Sequence, residues 1–178
     1  MIRNLFLGFL TIGLAFTLYL ILHLGIFKKV EISVEKRGPL ILLFKQHTGP
    51  YHRILPVIQE AEAWANSHNL RCPQTFGEYL DDPSLIDEDR LRSHGGCVLS
   101  ATLTTVPPDF QYQIRAERTY VVARFPGSPS IGPYKVYPKV QAFIAEQRLK
   151  PAAPVIEIYT ISGDQMTTEY LFAVDNAK

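Results

Sequence analysis

Residues 132–161 read GPYKVYPKVQAFIAEQRLKPAAPVIEIYTI, and residues 49–80 read GPYHRILPVIQEAEAWANSHNLRCPQTFGEYL. Both stretches run turn, helix, strand. In the later one, Pro138 is expected early in a helix whose buried stripe is Val140, Phe143, Ile144 and Gln147, and Pro151 and Pro154 bound its exit. Residues 155–161 then alternate apolar and polar side chains with the period of a strand. In the earlier one, Ile54, Val57, Ile58, Ala61 and Ala65 form one helical stripe with Trp64 at its margin, opposite Gln59, Glu60 and Glu62. Pro56 suits the first turn of that helix. A strand is expected over residues 75–80, closed by an Asp81-Asp82-Pro83 turn.

The two Gly-Pro-Tyr triplets stand 83 residues apart, each ahead of a helix and then a Glu-containing strand. Coincidence is one explanation, because such turns are common. A duplicated strand-helix-strand unit is the other, and it is the expectation adopted. It gives an α+β domain whose antiparallel sheet carries two helices on one face. The other face is left free, with a pocket in the groove between the halves. The flanking sequence supplies further strands. Val30, Ile32 and Val34 alternate with Glu31, Ser33 and Glu35, and residues 40–44 suit a buried strand after Gly38-Pro39. Strands are also expected over residues 97–103 behind Gly95-Gly96, over 112–116 and 119–125, and over 168–174 with Tyr170, Phe172 and Val174 on one face.

Ahead of this domain, residues 5–27 read LFLGFLTIGLAFTLYLILHLGIF without a formal charge. At 1.5 Å per residue such a helix is about 34 Å long, enough to cross a hydrocarbon layer of about 30 Å. A cleaved signal peptide has a shorter apolar core and a small-residue exit, whereas this run leaves through Phe27, Lys28 and Lys29. The expectation is a single-pass membrane protein, with residues 1–27 as the anchor in the lipid bilayer and 28–178 as the domain. Lys28, Lys29, Lys36 and Arg37 follow the helix while Arg3 and the α-amine precede it, which places the domain in the cytoplasm by the positive-inside rule.

Outside the anchor, 17 Lys and Arg face 17 Asp and Glu, since Arg3 is the one charged residue within residues 1–27. A balanced domain lacks the electrostatic footprint of a nucleic-acid binder, so nucleic acid is not an expected partner. The anchor also occupies the place a DNA-binding segment would take. Cys72 and Cys97 are too few for a disulfide scaffold, and free buried thiols are expected. His47, His52, His68 and His94 have no metal-ligand spacing, no phosphate-binding glycine loop occurs, and no metal or cofactor is expected.

The residues Glu78-Tyr79-Leu80-Asp81-Asp82-Pro83, Arg92-Ser93, Gly95-Gly96 and Pro154-Val155-Ile156-Glu157-Ile158-Tyr159 resemble the GyrI-like small-molecule-binding superfamily, also found as effector domains of multidrug-responsive regulators. Residues 44–51, the Asp-Asp-Pro turn and residues 150–159 also resemble a group of membrane-anchored ER-phagy receptors, built as one N-terminal helix followed by a GyrI-like domain. Those receptors continue into a long acidic tail that carries their autophagy-binding motif, whereas this sequence ends at Lys178. The resemblance therefore implies the fold and the anchor, not the receptor role.

Glu157 is the leading candidate site residue. Val155, Glu157, Tyr159 and Ile161 share one strand face, and Ile156, Ile158 and Thr160 the other. With the isoleucines packed on the helices, Glu157 and Tyr159 look into the groove, where a carboxylate beside aromatic rings suits an apolar cation. The resemblance also implies a pocket glutamate here. A solvated strand residue is the alternative. Tyr79 holds the matching place in the first half, as a second aromatic wall or as a rim residue beside the turn. Tyr51 and Tyr134, at the helix entries, complete the candidate ligand-binding set or serve packing, and Trp64 is expected in the core. The resulting expectation is a tethered domain that binds a small apolar or cationic molecule. Two alternatives are an anchored adaptor that recruits another protein, and a hydrolase of reactive small molecules that uses the pocket glutamate. No nucleophile elbow is present, so binding is favoured over catalysis.

Overall fold

The computed structural model describes residues 2–163 and 165–175, with side chains from residue 6 onward apart from residue 153. The α-amine, Lys178 and the side chains of Arg3 and Leu5, used in the sequence reading, lie outside that description. Helix α1 spans Ile2–Leu24. Its Phe6–Leu24 stretch has a mean hydropathy of 2.0, none of it is buried by the rest of the protein, and it is long and apolar enough to cross a membrane. Thr11 and Thr17 donate their hydroxyls to the carbonyls of Gly8 and Gly13, so these two hydroxyls are satisfied within the helix. Gly25, at φ 75°, ends the helix. The Gly25 N–H bonds the Leu22 carbonyl and the Ile26 N–H bonds that of Ile21, a left-handed cap that glycine adopts without steric cost.

Eight strands follow: β1 (Glu31–Arg37), β2 (Leu40–Thr48), β3 (Gln74–Tyr79), β4 (Arg92–Val98), β5 (Gln111–Arg115), β6 (Arg118–Phe125), β7 (Lys150–Ser162) and β8 (Gln165–Asp175). They form one antiparallel sheet in the order β1-β6-β8-β7-β3-β4-β2-β5. Helices α2 (Leu55–Ser67) and α3 (Gly132–Glu146) follow β2 and β6 and pack on the same face. Tracing the register from Leu43 and Cys97 through Thr75, Tyr159 and Thr168 keeps to that face throughout.

Two short links decide the sheet's shape. Gly38-Pro39 joins β1 to β2, and Ala116-Glu117 joins β5 to β6, yet the strands in each pair stand at opposite ends of the strand order. A two-residue link spans only about 10 Å, so the ends of the sheet must curl toward each other. The links touch: a Cβ on Gly38 would lie 2.9 Å from Glu117 Cα. Arg115, on edge strand β5, reaches Glu78 across β2 and β4. The helix-free face thereby becomes an interior, holding Leu42, Phe44, Phe76, Tyr120, Val122, Ile156, Ile158 and Leu171.

Several expectations change accordingly. The helix-free face is not an open groove, and Ile156 and Ile158 pack inside the curl rather than on the helices. The fourth strand lies earlier than residues 97–103, and Gly95-Gly96 is its middle rather than its entry. A Cβ on Gly95 would meet Ile58 of α2 at 2.9 Å, and one on Gly96 would meet the Leu43 carbonyl at 2.0 Å, so close packing, not a turn, demands these glycines. Pro138 is inside α3 rather than at its start, because Pro133 already occupies the first turn. Around residue 50, a single 3₁₀ turn, Tyr51–Arg53, precedes α2, so the two Gly-Pro-Tyr triplets open their helices differently. Pro151 and Pro154 lie within β7, where the pairing with β8 is irregular between Pro151 and Val155. Cys72 and Cys97 are joined as a disulfide rather than free: β3 pairs Thr75 with Cys97, which brings Cys72 beside it.

Gly96→Ala is expected to lower stability by about 2–3 kcal/mol, as overpacking a filled core does, measured by urea unfolding. An unchanged midpoint would show that β2 and β4 are not in the contact described.

Candidate ligand site

The two halves of the domain meet where β3 pairs with β7, and Glu157 stands directly across from Gly77. Glu157 is 3% exposed. Its face carries the helices, so it lies beneath α3 rather than on a helix-free surface. Tyr137 of α3 donates its hydroxyl to Glu157 Oε1 at 3.3 Å, and Tyr159 donates to Oε2 at 3.1 Å. The hydroxyls of Tyr79 and Tyr159 are 3.0 Å apart. With Tyr159 donating to the carboxylate, Tyr79 donates to Tyr159, which completes a relay of phenols that ends on the acid. Gly77 makes room for it: a Cβ there would lie 2.9 Å from the Tyr79 hydroxyl.

The first half contributes the wall beyond Tyr79. The Tyr51 ring packs edge-on against Tyr79 with centroids 4.7 Å apart. Its hydroxyl donates to the Asp81 carbonyl at 2.7 Å and accepts from the Asp81 N–H at 3.0 Å. Asp81 in turn accepts from the Arg92 N–H and guanidinium, bonds that hold its carboxyl below the ordinary range. The Asp-Asp-Pro turn is thus a brace for Tyr51 and Tyr79. Tyr137 packs edge-on against Tyr170 and Phe172. Tyr134 is 83% exposed and takes no part in the cluster, which corrects its expected role. Tyr137, one turn later, faces the sheet instead. Starting the helix at Gly132 puts Tyr137 beside the buried Val136 and Val140, but Pro138, read as an early helix residue, hid that frame. Trp64 packs in the apolar cluster beside α2, as expected.

Two buried acids lie on neighbouring register positions and differ in one respect. Glu78, 0% exposed, points into the curl, where Arg115 binds it through both guanidinium nitrogens and His94 Nδ1 lies 2.8 Å from Oε2. Burial pushes its pKa up, but His94 and Arg115 outweigh this and hold it below the ordinary value. Glu157 has two phenols and, among the described residues, no cationic partner. Burial raises its pKa to about 7 against the hydrogen bonds from Tyr159 and Tyr137. Tyr79, Tyr137, Tyr159 and Tyr170 are pushed up too, first by burial and next by the Glu157 charge. The buried hydroxyls of Ser93, Thr168 and Tyr170, the cross-strand partners of Tyr79, Tyr159 and Glu157, have no hydrogen-bond partner among the described residues.

The tyrosines roof the acid, so Glu157 has no open path to solvent. Two open hollows of about 460 Å³ lie elsewhere, one beside residues 69–73 and one bordered by Thr48, Asp81, Ile86 and Arg92. They are shallow surface features without a buried polar group at the floor. The polar chemistry is concentrated at Glu157, a buried carboxyl with aromatic rings and hydroxyl groups around it. No three His, Cys, Asp or Glu side chains converge among the described residues.

The raised pKa has a stability consequence with a definite sign. In the unfolded chain Glu157 takes its ordinary value of 4.5, and in the folded chain about 7. Between those values the folded state keeps a proton that the unfolded state has lost, so this group's contribution falls as pH rises from 4.5 to 7. The stability difference between the parent and Glu157→Gln should shift against the parent by about 3 kcal/mol over that window, read from urea unfolding at each pH. A difference that is flat with pH would place Glu157 in water.

Solved structures that share this fold include these three. The chain superposes on EcmrR in a cryo-EM complex with DNA (TM-score 0.66, 12% identity, 99% of this chain and 68% of that one) and on the crystal structure of the EcmrR C-terminal domain (0.64, 16%, 83% and 99%). It also superposes on SAV2435 bound to tetraphenylphosphonium (0.57, 15%, 82% and 94%). A DNA gyrase inhibitor from Pectobacterium carotovorum subsp. carotovorum (strain PC1) is 28% identical over 81 residues, 45% of this chain. The chain spans about half the length of that relative, 53%. The profile of the GyrI-like small molecule binding domain matches residues 30–174, and the chain belongs to that family.

Proposed function

We propose that this domain binds a small apolar cation between its two halves, with Glu157 as the counter-charge and Tyr51, Tyr79, Tyr137 and Tyr159 as walls. The observation that carries the reading is the buried Glu157 carboxyl, which among the described residues has no cation of its own, one register position from a buried acid that is held by the Arg115 guanidinium. Binding begins with Tyr79 and Tyr159 swinging apart, which costs one hydrogen bond between phenols. The cation then takes the place of the carboxyl proton, and the rings supply their negative faces. A similar fold bound to tetraphenylphosphonium supports this class of ligand. The domain is read as a duplicated unit, β2-α2-β3-β4 and β6-α3-β7-β8, joined through β3 and β7.

The full chain is tethered to a membrane by α1, an arrangement the resemblance to the anchored ER-phagy receptors also supports. Lys28, Lys29, Lys36 and Arg37 favour the cytoplasmic side for the domain. The Cys72–Cys97 bond is the observation against it, since disulfides persist in oxidising compartments. The proposed absence of nucleic-acid binding rests on the charge balance and on the anchor reading of residues 1–27, and one protein of similar fold is seen with DNA. Among the described residues, the large apolar side chains exposed beyond α1 and its junction, such as Leu55, Leu85, Ile114 and Ile161, sit on separate elements, so no feature favours the adaptor reading.

One observation favours a second reading. A carboxyl that titrates near 7 and is bonded by phenols is equipped to move protons at neutral pH. Hydrolysis of a strained or activated small molecule would then depend on Glu157 acting as acid or base.

Calorimetry of the full chain in detergent with tetraphenylphosphonium tests the binding reading. Affinity should rise with pH to about 7 and then level, because below that value each bound cation must displace one proton. Glu157→Gln should weaken binding by about 1.5–3 kcal/mol and abolish the pH dependence. Equal affinity and an equal pH profile in the variant would remove Glu157 from the site.

A further inference from the structure

The end of α1 is stitched to one particular part of the domain. Lys135 of α3 donates to the carbonyls of Gly25, at 3.4 Å, of Ile26, and of Lys28, at 2.7 Å. The Ser128 N–H donates to the Leu24 carbonyl at 3.0 Å, and Lys28 Nζ donates to the Pro126 carbonyl at 2.6 Å. A Cβ on Gly127 would lie 2.9 Å from the Leu24 carbonyl, so helix end and loop are in contact. A ligated lysine and a backbone bond on either side leave little freedom between anchor and domain. Whatever level in the bilayer the end of α1 reaches, the β6–α3 loop and the start of α3 reach as well.

The side chains at that level have the chemistry of a bilayer interface. Ile26, Phe27 and Tyr134 are exposed, at 42%, 77% and 83%. Lys28, Lys29 and Lys139 are exposed beside them. No Asp or Glu occurs before Glu31 or between Glu117 and Glu146. Tyrosines gather at the headgroup level of membranes, and lysines are drawn to anionic lipid.

We infer that residues 126–139, the β6–α3 loop with the first two turns of α3, form a lipid-contacting surface that sits in the phospholipid headgroup layer beside α1. This rests on the anchor reading above. Tyr134 and Phe27 enter the interface from the two stitched segments, and Lys29 and Lys139 face anionic headgroups. The surface gives the exposed Tyr134 a role that the ligand site does not. Tyr137 and Gly132, on the same turns, cover Glu157 and Tyr170. The roof of the ligand site is therefore mounted at the membrane surface, where amphiphilic cations accumulate.

Bromolipid quenching of the full chain in phosphatidylcholine vesicles containing phosphatidylserine tests this. Trp64, the single tryptophan of the chain, gives the background signal. Tyr134→Trp adds a reporter at an exposed position, and Phe16→Trp adds one within α1. Lipids brominated on the acyl carbons nearest the headgroup should quench the reporter of Tyr134→Trp, and deeply brominated lipids that of Phe16→Trp. Quenching of Phe16→Trp alone, with Tyr134→Trp no more quenched than the parent, would overturn the surface and leave the anchor standing. Quenching of neither would remove the anchor and the surface with it.

Discussion

A carboxyl group buried in the middle of a sheet must be neutral, paired or about to be paired, and the organisation of this site follows from that constraint. Glu78 and Glu157 face opposite sides of the same two central strands. The curl of the sheet brings Arg115 from a distant edge strand to Glu78, and His94 from the neighbouring strand, so that carboxylate is satisfied and structural. Among the described residues, Glu157 receives only phenols. Burying an ion without a partner is costly, so the group keeps its proton to a higher pH. The result is an acid held neutral by burial, one that under the proposed binding reading becomes a full negative charge when a cation arrives.

The curl also explains why the site is on the helix side. Two-residue links between strands at opposite ends of the order oblige the sheet to roll up, and the inner surface fills with side chains from six strands. The inner surface is therefore occupied, apart from its own ion pairs. On the outer face, α2 and α3 each cover one half, and the β3–β7 seam runs between them. Tyrosines, rather than aliphatic side chains, cover this seam. They are the large side chains that can fill an apolar gap and still hydrogen-bond to an acid.

Much of this was legible in the sequence. The alternation of residues 155–161 identifies the strand and puts Glu157 and Tyr159 on one face, and the apolar run of residues 5–27 identifies a helix suited to a membrane. Four features were hidden because they depend on tertiary contacts. The isoleucine face of β7 reads as the face that meets helices, and only the curl supplies the second core that takes it. Gly95-Gly96 reads as the approach to a strand over residues 97–103, because glycine signals conformational freedom and close approach in the same letter. Pro138 reads as an early helix residue, which shifts attention to Tyr134 and away from Tyr137. The pairing of Cys72 with Cys97 follows from the β3–β4 register, which spacing alone does not supply.

The central claim concerns the proton on one side chain. Carbon-13 NMR of the Glu157 carboxyl carbon, assigned with Glu157→Gln and followed across neutral pH without ligand, reads it directly. A midpoint close to 7 is the result the account requires. A midpoint at or below the ordinary 4.5 would mean that Glu157 is solvated or already paired, and the proposed cation site would not exist.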